Sequence, residues 1–172
     1  DDTRERLDLL ALDKDGNLVI IENKLDDTGR DVVWQALKYA SYCSGLSKKQ
    51  VIDIYQSYLN RYCGGGDANA LICEFLEVPD MGEVVLNSGN AQRLIFVAAN
   101  YRKEVTSTAL WLLSHGIQLQ CFKVTPFAMQ LEVSGQQHEE LFLNVVQIIS
   151  TSEAKELMIG ISAKEADEKV TE

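Results

Sequence analysis

Two short, mostly apolar runs near the start of the chain lie on either side of a polar turn. Residues 6–13 and 17–24 read as strands, and Asp13-Lys14-Asp15-Gly16-Asn17 between them reads as a hairpin. The favoured turn is a three-residue loop, Lys14-Asp15-Gly16, with Gly16 in the left-handed position of a bulge. That choice pairs Asp13 with Asn17, Leu12 with Leu18, Leu10 with Ile20 and Asp8 with Glu22. Lys24 lies two residues beyond Glu22 and so projects from the same face. Arg6 then falls opposite Lys24.

Further along, helical and strand periods take turns. A helix is expected over 29–44, with Thr28 as N-cap, Asp31 in the first turn and Gly45 as its stop. A second, over 48–62, carries Val51, Tyr55, Tyr58 and Tyr62 at spacings of three and four, which reads as a core-packing stripe. Gly64-Gly65-Gly66 breaks the chain, and Asp67 caps a short helix reaching Glu77. Residues 78–91 read as a loop with a short extended piece. Arg93–Ala99 is a continuous apolar run, as expected of a strand covered on both faces. A helix over 103–115 ends at Gly116, a strand follows over 117–124, and 127–133 reads as a further strand at an edge. Leu141, Phe142, Val145 and Ile149 recur at helical spacing, so 138–150 is expected to be a helix. The order gives an α/β domain over 1–150, with parallel pairing across the strand–helix–strand unit. It has a helical insertion at about 46–91, and 151–172 forms a polar tail or linker.

Composition narrows the chemistry. The 172 residues support one domain with a sizeable core. No run of about 18 apolar residues suggests a membrane span. Cys43, Cys63, Cys73 and Cys121 are scattered without a Cys-x-x-Cys pair, which fits buried reduced thiols and a cytoplasmic location. His115 and His138 have no metal-ligand spacing, and His115 suits the end of a helix dipole. The glycine triplet lacks the Lys-Ser/Thr of a phosphate-binding loop. There is no Gly-x-Gly-x-x-Gly after a strand and no Gly-x-Ser-x-Gly elbow. Asp13–Asn17 lacks the terminal Glu and flanking helices of a calcium loop.

The first hairpin carries the candidate chemistry. Asp8 and Glu22, directly opposed on one face, repel each other. A hard cation relieves the repulsion, because it takes carboxylate oxygens and waters. Lys24 beside them is suited to polarise water or to neutralise charge developing on a phosphate. A plain Asp–Lys–Glu ion-pair cluster is the competing interpretation.

Asp8, Glu22-Asn23-Lys24, and Gln35 with Tyr39 on the next helix resemble the PD-(D/E)xK, restriction-endonuclease-like nuclease superfamily. The wording Arg-x-Asp-Leu-Leu-Ala-x-Asp, then Gly-x-Leu-Val-Ile-Ile-Glu-x-Lys, is similar to its RecB-like and Holliday-resolvase-like branches. The resemblance covers residues 4–44 and, more loosely, 92–124. It implies a three-layer core with a mixed central sheet flanked by helices. It implies Asp8 and Glu22 as ligands of Mg²⁺ or Mn²⁺, completed by the Asn23 carbonyl. Lys24 would be the catalytic lysine and Gln35 a supporting residue. The family's usual Pro before the Asp is Leu7 here. An acidic helix that usually precedes the Asp strand is expected upstream of Asp1.

The implied activity is metal-dependent phosphodiester hydrolysis of DNA. The alternative is a catalytically silent nuclease-fold module that binds nucleic acid or protein. Arg6, Arg30, Lys38 and Tyr39 around the motif are the candidate substrate contacts. A net charge of −10 opposes simple nucleic-acid binding, which draws on Lys and Arg. A homodimer or a further domain supplying a basic surface is therefore the second partner expectation, and no membrane partner is expected.

Overall fold

A computed structural model describes residues 6–27, 31–89, 91–133 and 136–149. Among these the chain is α/β, a mixed sheet of five strands with four helices. The elements are β1 (Leu9–Leu12), β2 (Leu18–Asp27), α1 (Val32–Ser44), α2 (Lys48–Tyr62), α3 (Ala68–Leu76), β3 (Arg93–Asn100), α4 (Lys103–Ser114), β4 (Gln118–Val133) and β5 (Gln136–Ile149). The strands hydrogen-bond in the order β1-β2-β3-β4-β5. Among the described residues no helix is long and apolar enough to cross a membrane. The chain divides into two compact units. The described parts of Asp1–Ile21 and Trp34–Leu94 form one, and those of Glu22–Val33 and Ile95–Glu172 the other.

In the first unit the helices begin and end where local chemistry dictates. Ser47 caps α2, with its hydroxyl accepting from the Gln50 N–H and the Gln50 side chain accepting from the Ser47 N–H. Three successive positive-φ glycines, Gly64 to Gly66, turn the chain out of α2. Asp67 then accepts the N–H groups of Asn69 and Ala70 at the start of α3. Val51, Leu59, Ala68 and Ile72 are the buried positions of these two helices. The predicted helix over 29–44 begins at Val32; its expected cap, Thr28, lies outside the described residues.

Residues 78–89 are a loop, but a fastened one. Val84 and Leu86 are buried. Lys48 donates to the carbonyl of Met81 and, at 2.8 Å, to that of Val84. Asn87 is buried with φ 54°. Its side chain donates to the carbonyls of Cys43 (2.8 Å) and Leu46 (2.9 Å), tying down the chain leaving α1. Gln92 donates to its side-chain oxygen at 2.7 Å. A buried amide must find such partners, and here they come from two separate stretches of chain.

In the second unit Phe96, Ala98, Val105, Ala109, Leu112, Leu119 and Cys121 are buried. β3 alternates fully buried and half-buried residues, so only one of its faces is completely covered. The Tyr101 hydroxyl lies 2.7 Å from the Phe96 carbonyl and 2.9 Å from that of Phe122, and burial pushes its pKa up. His115 closes α4, its Nδ1 2.9 Å from the Trp111 carbonyl and its ring against Trp111, so it is a structural residue.

Three expectations need correction. The helix expected over 138–150 is a strand, β5, paired antiparallel with β4 from Cys121↔Ile149 to Val133↔Gln136. The apolar positions that fit a helical period also fit a ribbon, and Val145, Val146, Ile148 and Ile149 are β-branched, which favours it. The separate strands expected over 117–124 and 127–133 are one, β4, which runs through Pro126. A bulge at Cys121/Phe122 shifts its register against β5. Third, the cysteines are all free, but only Cys43 and Cys121 are buried; Cys63 is exposed and Cys73 half-buried.

Candidate functional site

The first hairpin has the expected register. Leu12 faces Leu18, Ala11 faces Val19, Leu10 faces Ile20 and Leu9 faces Ile21. Its turn is built as read: the Asp13 N–H donates to the Asn17 carbonyl at 3.0 Å, and the Gly16 N–H to the Asp13 carbonyl at 3.1 Å. The Asp13 carboxylate accepts the N–H groups of Asp15 (3.0 Å) and Asn17 (2.9 Å) and lies 3.5 Å from the Arg93 guanidinium. Gly16 has φ 79°, and a Cβ there would collide with the Val85 carbonyl oxygen. The Asn87 N–H donates to the Gly16 carbonyl at 2.8 Å. Sequence reasoning missed Asn87 and Arg93, because both act from about 70 or more residues away and no local pattern announces them.

Past the turn, the candidate residues are placed as follows. Glu22 follows Ile21 on β2 and is buried, with 3 % of its side chain exposed. Lys24, 29 % exposed, brings its Nζ to 3.6 Å from a Glu22 carboxylate oxygen. A buried carboxylate requires such a partner. Asn23, between them, is exposed. Asp8 precedes Leu9 at a bend, is exposed, and lines a cavity of about 520 Å³ in the first unit. Arg6 is exposed just before it. Gln35 is half-buried on α1, Tyr39 is buried there, and the Lys38 ammonium lies 5.5 Å from the Tyr39 ring centroid. Arg30 lies outside the described residues. Among the described residues no group of three or more His, Cys, Asp or Glu side chains is gathered to hold a metal ion.

The cavity has the size of a small-molecule site. β1 forms one wall, and Ile54, Tyr55, Tyr58 and Phe75 form another. The tyrosines correct a further expectation. Tyr55 and Tyr58 stack with centroids 6.5 Å apart and Tyr58 and Tyr62 lie 5.2 Å apart, yet Tyr58 and Tyr62 are more than half exposed. Their helical spacing matched a core stripe, but only Val51 and Leu59 of α2 are buried. The chain matches no family model, no curated protein and no solved structure.

Proposed function

We propose that the chain is a metal-dependent phosphodiesterase acting on DNA, built on a restriction-endonuclease-like three-layer core. One observation carries the reading: a buried Glu22 ion-paired with Lys24 two residues on, in the Glu-x-Lys spacing of the motif. The donor set suits Mg²⁺ or Mn²⁺ better than Zn²⁺, being all oxygen. Asp8, Glu22 and the Asn23 carbonyl would hold the ion, with water filling the remaining positions. When bound, it supplies Lewis-acid stabilisation of a phosphate and a more acidic water. Lys24 holds positive charge beside the attacked phosphate, and Gln35 supports the site from α1. A net charge of −10 favours the second reading, a silent module in which Glu22 and Lys24 are only an ion pair.

The test is cleavage of single-stranded, duplex and branched DNA with Mg²⁺ or Mn²⁺. Asp8→Asn alters an exposed side chain, so its stability should stay within about 0.5 kcal/mol of wild type while activity falls at least about 100-fold. Lys24→Ala should abolish activity too, and costs about 1–3 kcal/mol by removing one ion pair from the buried carboxylate. Mg²⁺ should then raise the melting temperature of Lys24→Ala, but not that of a Glu22→Gln, Lys24→Ala double variant. DNA binding without cleavage in the wild type would establish the silent module instead.

A further inference from the structure

β1 stands at one end of the sheet, and among the described residues β2 is its only strand neighbour. The turn fixes which of its backbone groups β2 takes. The Asp13 N–H donates to the Asn17 carbonyl, so these two residues form a hydrogen-bonded pair. Bonded and non-bonded pairs alternate along an antiparallel ladder. Ala11↔Val19 and Leu9↔Ile21 are therefore bonded pairs, and Leu10 and Leu12 turn their N–H and C=O groups away from β2. Those groups meet the cavity of about 520 Å³ in the first unit. A cavity against one face of a strand touches every second residue, because side chains alternate. This one is lined by five in a row, Asp8 to Leu12, so it reaches round the open edge. Its far wall is Ile54, Tyr55 and Tyr58 of α2 and Phe75 of α3. Ile54, Tyr58 and Phe75 are exposed, so the wall is apolar and uncovered.

We infer that the trough between β1 and the α2–α3 wall binds an extended peptide segment of another protein, added to the sheet as a strand beside β1. Three features select this occupant. Backbone N–H and C=O groups that open into an apolar trough need partners. Those of Leu10 and Leu12 repeat every two residues, about 6.6 Å, which is the repeat of an extended backbone. A nucleic-acid strand has no such row of amides to offer. Next, a strand on this edge points alternate side chains at the Ile54, Tyr55 and Phe75 wall, which takes apolar ones. A second copy cannot supply the strand from its own β1, because that edge faces a wall of its own. Last, Asp8 is the one charged residue lining the cavity, and it sits at the start of β1. Its carboxylate favours a Lys or Arg at that end of the peptide. The site adjoins the proposed metal ligand Asp8 but does not rest on the nuclease reading.

Selection of a phage-displayed library of random peptides, each about ten residues long, on the full chain in EDTA tests this. The expected result is enrichment of sequences with apolar residues at alternate positions and a Lys or Arg at one end. Synthetic copies of these peptides are then the probes. N-methylation of the alternate amides that face β1 should weaken binding at least about 10-fold, while N-methylation of those between should not. Ile54→Arg with Tyr58→Arg alters two exposed side chains of the wall. It should weaken binding at least about 10-fold with an unchanged melting curve. Tyr62→Arg, exposed but outside the cavity, should leave binding intact. Asp8→Lys should turn the selection from basic to acidic peptides. No enriched sequence, binding that survives the double Arg variant, or binding indifferent to the place of the N-methyl groups would each overturn the inference. So would displacement of the peptide by a short oligothymidylate, which would make the trough a nucleic-acid site.

Discussion

The two hairpins of this chain differ in what covers them. β1–β2 is short and fastened: the Asp13 carboxylate fills its turn, the Asn87 N–H reaches its Gly16 carbonyl, and Leu18 and Ile20 are fully buried. β4–β5 is long and buries only its root, at Leu119, Cys121 and Ile149, while seven large apolar side chains beyond it remain exposed. Both are antiparallel and rich in Leu, Val and Ile. The difference teaches that apolar composition makes a strand, but only neighbours from elsewhere in the chain make it core.

The largest expected effect sets the two hairpins directly against each other. Ile20→Ala should cost about 3 kcal/mol, from lost burial and an unfilled cavity. Leu141→Ala should change monomer stability by less than about 0.5 kcal/mol. Urea denaturation at a concentration where the chain is monomeric reads both. A Leu141→Ala cost near that of Ile20→Ala would mean that the ribbon is covered within one chain.

A smaller difference is expected at two glycines with nearly equal backbones, Gly16 at φ 79° and Gly116 at φ 81°. Ala at Gly116 meets nothing within 4 Å and should cost only about 1 kcal/mol for the left-handed backbone. Ala at Gly16 pays the same and also collides with the Val85 carbonyl, for a total of about 2–4 kcal/mol. Equal melting curves for the two variants would show that the 84–87 segment does not hold the turn.

The smallest effect is chemical and probes the root of the ribbon. Burial pushes the Cys121 thiol up to about 12, so at pH 8 it stays protonated and out of reach of a thiol reagent. Cys63 is exposed and should label within minutes, at least about 100-fold faster. Comparable labelling of Cys121 in folded protein would show that the root opens along with the rest of the ribbon.

These contrasts also mark what could be read from the sequence. The bounds of α2 and the caps of α3 were legible because a glycine triplet and Asp67 act within a few residues. The register of the first hairpin was legible because its turn residues set it. β5 was not: its apolar spacing satisfies helix and strand alike, and the deciding partner, β4, is a tertiary fact. Within the candidate site, the Glu-x-Lys pair could be read from its spacing. The burial of Glu22 and the exposure of Tyr58 and Tyr62 could not, because which face is covered depends on elements far along the chain.

The clamp between Gly16 and Asn87 also bears on how the protein comes into being. A hairpin closes in about 1–10 µs. The ribosome adds about 5–20 residues per second, so the roughly 70 residues between turn and clamp arrive some 4–14 s later. For that interval the nascent turn lacks the Asn87 contact and leans on the Asp13 carboxylate. Asp13→Ala should therefore reduce the yield of folded protein made during translation more than it reduces the stability of protein already folded.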